Sequence, residues 1–238
     1  RKLYNLERMR VVLYSLSLIF LFSSCTVQQI QQTLDDYLET DELTTEQVIS
    51  GLKEALVKGA GSSTAEASRT NGFLGNPQIK IPFPPDVQKV ENKLRDLGLG
   101  DQVDRFIETL NRGAEEAAKE AKPIFVGAIK DMTVQDAWGI LKGEDNAATM
   151  YLQDKTSAQL TSKFKPVIKR ALDKTNATKY YSDLVNTYNK IPFVEKVNPN
   201  LDDYATERAL SGLFTLVAKE EQNIRDKQGA RTFISSRR

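Results

Sequence analysis

Along most of the chain apolar residues return every three or four positions, the period of one helix face, and glycine, proline or capping side chains separate the stripes. Thr44 and Gln47 have capping-box spacing ahead of Val48, Leu52, Ala55 and Leu56, a stripe that Gly59 and Gly61 interrupt. The small, polar run GSSTAEASRTNG over 61–72 reads as a loop, or, over Ala65 to Arg69, as a continuation of that helix. Pro85 and Asp86 suit a first turn leading to Val87, Val90, Leu94 and Leu97 as a buried face that Gly98 stops. Asp101 is placed to cap a helix bearing Val103, Phe106, Ile107 and Leu110, which runs on to Lys122 with Glu115 and Lys119 spaced for an i,i+4 ion pair. Pro123 restarts the pattern in Ile124, Phe125, Ala128, Ile129 and Met132. Thr133 begins a short helix with Trp138, Ile140 and Leu141, closed by Gly143. From Asp145 a long stripe carries Ala148, Tyr151, Leu152, Leu160, Phe164, Val167, Ile168, Ala171 and Leu172, and Pro166 is expected to bend or break it. Tyr180, Leu184 and Tyr188 mark another helix, and Asp202 is placed to cap a last one through Ala205, Ala209, Leu213, Phe214, Val217 and Ile224.

One stretch does not fit a helix. In FLGNPQIKIPFPP, Ile79, Ile81 and Phe83 alternate with Lys80 and Pro82, and the prolines forbid a helix, so residues 76–84 read as a short extended arm or edge strand. The expectation is an all-α domain of about eight helices over residues 44–232, with that single proline-containing arm and a basic tail at 233–238. Lys-Ile-Pro-Phe occurs at 80–83 and at 190–193, but nothing around the copies aligns, as a true repeat would require.

The start of the chain reads as an address. VVLYSLSLIFLFSS over 11–24 carries no charge, follows Arg8 and Arg10, and at 14 residues is shorter than the roughly 20 a membrane-crossing helix needs. Residues 1–24 are therefore expected to be a signal peptide, with 1–8 as an extension ahead of Met9. Leu21-Phe22-Ser23-Ser24-Cys25 resembles a bacterial lipobox, with Phe22 where leucine is usual. Cys25 is the only cysteine, so it has no disulfide partner within the chain, and acylation on sulfur accounts for it. More than one acyl chain is needed for stable anchoring, at about 0.8 kcal/mol per buried methylene. Residues 25–43, with Val27, Ile30, Leu34 and Leu38 on one face, read as either a lipidated tether or a docked helix. By resemblance to enterobacterial sorting, Thr26 in place of aspartate favours the outer membrane, facing the periplasm, in a Gram-negative source.

Charge argues against one class of partner. Four basic and one acidic side chain lie ahead of Cys25, leaving 29 basic against 31 acidic in the remainder, without the cationic surplus that nucleic-acid binding needs.

Chemistry is limited mainly by exclusion. The chain has no histidine, which removes Ser-His-Asp and Cys-His nucleophiles and histidine-ligated zinc, and one cysteine makes no thiolate cluster. No glycine-rich phosphate loop is present, and no cofactor, metal site or catalytic residue is assigned. Ser50 and Lys53 have the S-x-x-K spacing of penicillin-binding proteins without the companion elements. Asn198, Asn200 and Asp202 alternate like a calcium loop, but Asp203 replaces the turn glycine and Ala209 the closing glutamate, so a turn is the better reading. Acidic pairs at Asp35-Asp36, Glu115-Glu116 and Glu220-Glu221 raise two-carboxylate hydrolysis, although helix neighbours point apart. The candidate binding cleft comprises Asn76, Lys80, Arg112, Tyr181, Tyr188 and Tyr204, with Tyr180 beside them.

Several segments resemble a bacterial family known as a domain of unknown function, DUF4197, found in exported proteins. They are Gly72-Phe73-Leu74, Asn76-Pro77, Ile79 to Pro84, Leu110-Asn111-Arg112, Pro123-Ile124-Phe125, Ile140-Leu141, Ala147-Ala148-Thr149, Tyr151-Leu152, Asn198-Pro199 through Tyr204, Gly212-Leu213-Phe214 and Glu220-Glu221. The likeness spans roughly residues 46–232 and implies membership but no activity; after Thr232 the chain departs from the family's leucine- and lysine-rich ending. Together these features lead to an expected envelope lipoprotein, held to membrane lipid through Cys25, that acts without catalysis as a binding module for an envelope protein or an apolar ligand. The alternative is an envelope hydrolase using carboxylates or the Ser50-Lys53 pair.

Overall fold

The computed structural model describes residues 43–190, 192–193 and 196–235, and for Leu184, Tyr188 and residues 228–235 the backbone alone. The export segment, Cys25 and the tether to residue 42 lie outside the described residues. The chain divides into two units, Arg1–Val48 and Ile49–Arg238. Of the first, the described part is the opening of α1, where the Thr44 N–H donates to Gln47 Oε1 and the Gln47 N–H to Thr44 Oγ1, the expected capping box.

The chain is all-α, with no strand among the described residues. Its helices are α1 (Thr45–Ser68), α2 (Gln88–Asp96), α3 (Gly100–Ala118), α4 (Ala121–Lys130), α5 (Val134–Lys142), α6 (Ala147–Asp173), α7 (Ala177–Tyr188) and α8 (Leu201–Ser235), with a 3₁₀ turn at Pro85–Val87 leading into α2. Helix α6 is the hub, packing against α3, α4, α5, α7 and α8. Its buried positions Leu152, Thr156, Leu160, Phe164, Ile168 and Leu172 recur at a spacing of four. The polar member of that row, Thr156, satisfies its hydroxyl on the Leu152 carbonyl. Of the two expectations for Pro166 a break is excluded: α6 is continuous from Ala147 to Asp173, and burial of the row on both sides of the proline outweighs one lost backbone hydrogen bond.

Helix α1 runs through Gly59 and Gly61 to Ser68, so of the two readings of 61–72 the helical continuation holds over most of the run. Glycine, alanine, serine and threonine there form a buried small-residue face, Gly59, Ala60, Ser63, Thr64 and Ala67, which lets α8 approach closely. Ser63 Oγ lies within hydrogen-bond reach of the carbonyls of Gly59 and Leu216, and a Cβ at Gly59 would stand 3.2 Å from Ile224 Cδ1.

The arm at 76–84 is not a strand, and its first part is not extended: residues 77–79 turn on the Asn76 carbonyl, residues 80–82 carry no regular structure, and Ile79, Ile81 and Phe83 are buried as the alternation requires. Its partner is a side chain. The fully buried Asn111 of α3 accepts from the Ile81 N–H (2.8 Å), donates to the Ile81 C=O (2.8 Å) and gives its second amide hydrogen to the Ile107 C=O. One carboxamide thus meets both ladder groups that a neighbouring strand would otherwise satisfy. One turn further along α3, Glu115 Oε1 accepts from the N–H groups of Phe73 and Leu74, its other oxygen binds Arg112 (2.7 Å), and Arg112 reaches on to Asn71, which holds a left-handed φ of 63°. The arm lies against α8 at Gly212, where a Cβ would stand 2.7 Å from the Phe73 ring and 3.0 Å from Ile79 Cβ.

Several local expectations fail for identifiable reasons. Asp101 does not cap α3: Gly98 (φ 77°) reverses the chain, the Gly98 and Leu99 N–H groups bond back to Arg95 and Leu94, and α3 starts at once with Leu99 at its cap. Asp202 lies inside the first turn of α8, where it faces Lys165. Lys119 pairs with Glu116, because Glu115 is turned inward to the arm. Leu97 and Tyr180 are exposed, and in α7 the buried positions are Ala177, Tyr181 and Val185. The two Lys-Ile-Pro-Phe copies differ, with Phe83 buried and Phe193 fully exposed at φ 65°.

Substituting Asn111→Leu leaves the buried N–H and C=O of Ile81 without partners, and chemical denaturation is expected to show about 2–4 kcal/mol lost. A loss below about 1 kcal/mol would mean that the arm is held by its apolar side chains alone.

Candidate functional site

A mainly apolar opening lies between α2, α3 and the start of α7. Leu94 comes from α2, Gln102, Val103, Arg105, Phe106 and Thr109 from α3, Ala177, Tyr180 and Tyr181 from α7, and Thr175 and Leu99 from the connecting turns. Phe83 of the arm completes a groove of about 580 Å³. Its aromatic side is a row: the rings of Phe83 and Phe106 lie 5.0 Å apart, and those of Phe106 and Tyr181 stack at 6.5 Å and 26°. Phe83 is set there by the Asn111–Ile81 pairing two residues earlier, and Tyr181 by the Ala177, Tyr181, Val185 face of α7.

A second opening of about 450 Å³ is lined by Leu74, Lys80, Arg95, Asp104, Arg105, Ile107 and Glu108, so Arg105 borders both. Its two carboxylates are already paired, Asp104 with Arg95 (2.9 Å) and Glu108 with Arg112 (3.3 Å). A third, more polar hollow of about 570 Å³ between α4, α5 and α6 holds Asp131, Asp136, Tyr151 and Lys155. There Asp136 closes the capping box of α5 by accepting from Thr133, which keeps its carboxyl below the usual range, and the Tyr151 hydroxyl donates to the Ala128 C=O.

The residues expected in one cleft are distributed. Tyr181 lines the groove and Lys80 the second opening, while Asn76, Arg112 and Tyr204 line none of the three. Asn76 is a turn former, accepting through its carbonyl from Ile79 and Lys80 and through Oδ1 from Gln78. Arg112 is tied to Glu115, Asn71 and Glu108, and the Tyr204 hydroxyl donates to the Pro82 C=O. The Tyr188 side chain lies outside the described residues. Sequence reasoning missed Phe83, Leu94, Val103 and Phe106 as groove residues, because their periodicity marks them equally well as core, and Arg105, because it carries the signal of an ordinary solvated helix position.

The groups weighed for hydrolysis do not converge. Lys53 Nζ donates to the Lys130 carbonyl at the end of α4, and Ser50 is exposed and makes no bond with it. Glu115 is buried against the arm while Glu116 faces Lys119 in solvent. Glu221 is likewise committed: its oxygens accept from the N–H groups of Ala148 and Thr149 and the Thr149 hydroxyl, capping α6 from α8, and Arg225 neutralises it at 2.8 Å. Asp35-Asp36 lies outside the described residues. Asn198 makes a turn, its Oδ1 accepting from the Asn200 N–H, and among the described residues no group of three or more acidic, Cys or His side chains gathers around a metal-sized space.

Two tyrosines, Tyr181 in the groove and Tyr204 outside it, are held neutral. Burial first, then Asp86 and Tyr204, push the Tyr181 phenol up to about 12. For Tyr204, burial raises it to about 12 with Asp86 adding and Arg208 opposing. Neither can act as a phenolate base near neutral pH, and the groove offers shape and apolar surface rather than proton transfer.

The model of the family described as a protein of unknown function, DUF4197, matches residues 42–233. No curated protein and no solved structure matches the chain.

Because the folded-state values of Tyr181 and Tyr204 lie above the ordinary 10, their contribution to stability is intact below about pH 10 and lost as pH rises toward 12. Ultraviolet titration is expected to show two phenols ionising late, together with alkaline destabilisation that Tyr181→Phe reduces. Ionisation of every tyrosine near pH 10 while the fold persists would contradict the burial of these hydroxyls.

Proposed function

The chain belongs to the DUF4197 family, whose description carries no activity, and from its geometry we propose that it is a binding module whose ligand lies in the groove between α2, α3 and α7. One observation carries the reading: the groove is open and lined mainly by apolar and aromatic side chains, whereas the buried carboxylates Glu115, Asp202 and Glu221 are each paired with a cation in structural roles. A concave apolar site of a few hundred Å³ with a few polar groups at its rim is the usual form of a small-molecule or side-chain pocket.

The module's place is the bacterial envelope, as a lipoprotein attached through acylated Cys25, on the periplasmic face of the outer membrane in a Gram-negative source. Support comes from the uncharged run 11–24, its basic flank and the lipobox-like residues before Cys25. Among the described residues no helix is long and apolar enough to cross a membrane. Attachment in this reading is by lipid rather than by a spanning helix.

Nile red, a neutral dye that brightens in apolar surroundings, is expected to bind saturably, and Leu94→Arg, which places a charge in the groove wall, to weaken it about tenfold or more. Circular dichroism checks that the variant is folded. No saturable binding by the wild type, or undiminished binding by a folded Leu94→Arg, would sink the groove reading.

Expressed in a bacterium with lipoprotein processing, the wild type is expected to begin at Cys25, carry a lipid-sized mass increment and sediment with membranes, and Cys25→Ser to lose all three. A soluble wild-type chain without the increment would remove the envelope address and leave the groove untouched.

A further inference from the structure

We propose that α5 is a second, non-covalent membrane contact: its outward stripe of Val134, Trp138 and Leu141 lies at the boundary between headgroups and acyl chains of the bilayer that holds the acylated Cys25. This rests on the lipoprotein reading above and is independent of the groove.

Helix α5 is apolar over more of its circumference than the fold covers. Val134, Ala137, Trp138, Ile140 and Leu141 are apolar, yet only Ala137 and Ile140 are buried. The other three fall at i, i+4 and i+7, one stripe beside the buried pair. Val134 is 56% and Leu141 36% exposed, and Trp138 is half-buried without joining the apolar side chains packed on the core. The Lys142 ammonium lies 5.1 Å from the centre of the Trp138 ring. The helix is held by α6 and, near its end, by the Arg225 guanidinium on the Ile140 C=O. A helix apolar on nearly every side is normally buried, so the stripe lacks a cover.

Size argues against a protein as that cover. Three side chains offer far less than the roughly 800 Å² per partner that a stable protein interface or dimer buries. A lipid surface needs no matching shape, and its boundary zone favours this composition: a tryptophan, aliphatic neighbours, and a lysine whose stem follows apolar surface while its ammonium reaches water. Position supplies the rest. Lys53 Nζ donates to the Lys130 C=O (2.9 Å), so the first turns of the larger unit lie against the connection that leads into α5. Ile49, where that unit begins, is 24 residues after Cys25, at most about 85 Å of chain. A lipid on Cys25 therefore keeps α5 within reach of the bilayer, where a face too weak to bind lipid unaided is sufficient. Charge is not the drive: Asp131 precedes the helix, Asp136 lies in its first turn and Glu144 and Asp145 follow, against Lys130 and Lys142. The contact is thus expected with neutral lipid and insensitive to salt.

Trp138 is the chain's only tryptophan, so its fluorescence reports this face alone. The acylated protein, isolated from the expressing bacterium, is reconstituted into phosphatidylcholine vesicles with and without bromine on the acyl chains. Trp138 is expected to lose most of its emission to the brominated lipid, equally at low and high salt. Val134→Asp combined with Leu141→Gln, both at exposed positions and leaving Trp138 in place, is expected to abolish that loss, with circular dichroism checking the fold. Unquenched Trp138 in the acylated wild type overturns the proposal and leaves the address intact, and chemical crosslinking then distinguishes a second copy over the stripe from a bare one. Undiminished quenching in the folded double variant also overturns it, because the stripe then does not make the contact. A protein isolated without acyl groups fails the address reading; it is then coupled through Cys25, its single thiol, to a maleimide phospholipid in the same vesicles, and the same quenching decides.

Discussion

Ile81 sits in a proline-flanked segment that cannot be helical, with its side chain in the core, so its backbone N–H and C=O leave water with no strand beside them. Each would cost about 1–3 kcal/mol unpaired, and the carboxamide of Asn111 answers both at 2.8 Å. Much else follows from that pairing. It fixes the arm against α3, sets Phe83 beside Phe106 as one wall of the groove, and leaves Lys80 exposed. Glu115 and Arg112, one helical turn on, hold the preceding turn by its Phe73 and Leu74 amides, and Tyr204 of α8 holds the Pro82 carbonyl.

A second part of the molecule uses the same physical solution. At the start of α6 the free N–H groups of Ala148 and Thr149 are buried, and Glu221 of α8 accepts both while Arg225, one turn along, balances its charge and reaches the Ile140 carbonyl. In each case a buried carboxylate binds two successive backbone amides of another segment and an arginine three or four residues away on its own helix. Such a unit is strong only when complete, because removing the arginine leaves a buried charge unpaired. Four of the segments that carry the family likeness, Gly72-Phe73-Leu74, Leu110-Asn111-Arg112, Ala147-Ala148-Thr149 and Glu220-Glu221, build these units. Their specificity reflects folding geometry, and reading chemistry into their acidic pairs would mistake a cap for a catalyst.

With those charges committed to structure, the proposed binding rests on the groove between α2, α3 and α7. Two left-handed residues border it: Gly98 (φ 77°) turns the chain between α2 and α3, and Asn176 (φ 56°) caps α7. Tyr181 contributes its ring to the row and a phenol that stays protonated well above neutrality, so the site has a polar rim without a base.

The sequence by itself determined the fold class, the approximate limits of the helices, most of the buried face of each, and the family, because these depend on local periodicity, caps and breakers read within a few residues. It also placed Ile79, Ile81 and Phe83 on one side of the arm. Tertiary structure alone decided what local rules leave open. Pro166 and Gly59 interrupt no helix, since buried rows on α6 and the small-residue face of α1 outweigh a local penalty of one bond or one glycine. Asn111, Glu115 and Glu221 look like ordinary polar helix residues until a distant segment brings unpaired amides to them. The groove is of the same kind: Leu94, Phe106 and Tyr181 carry the same apolar signal as core residues, and only the space left between α2, α3 and α7 marks them as lining residues.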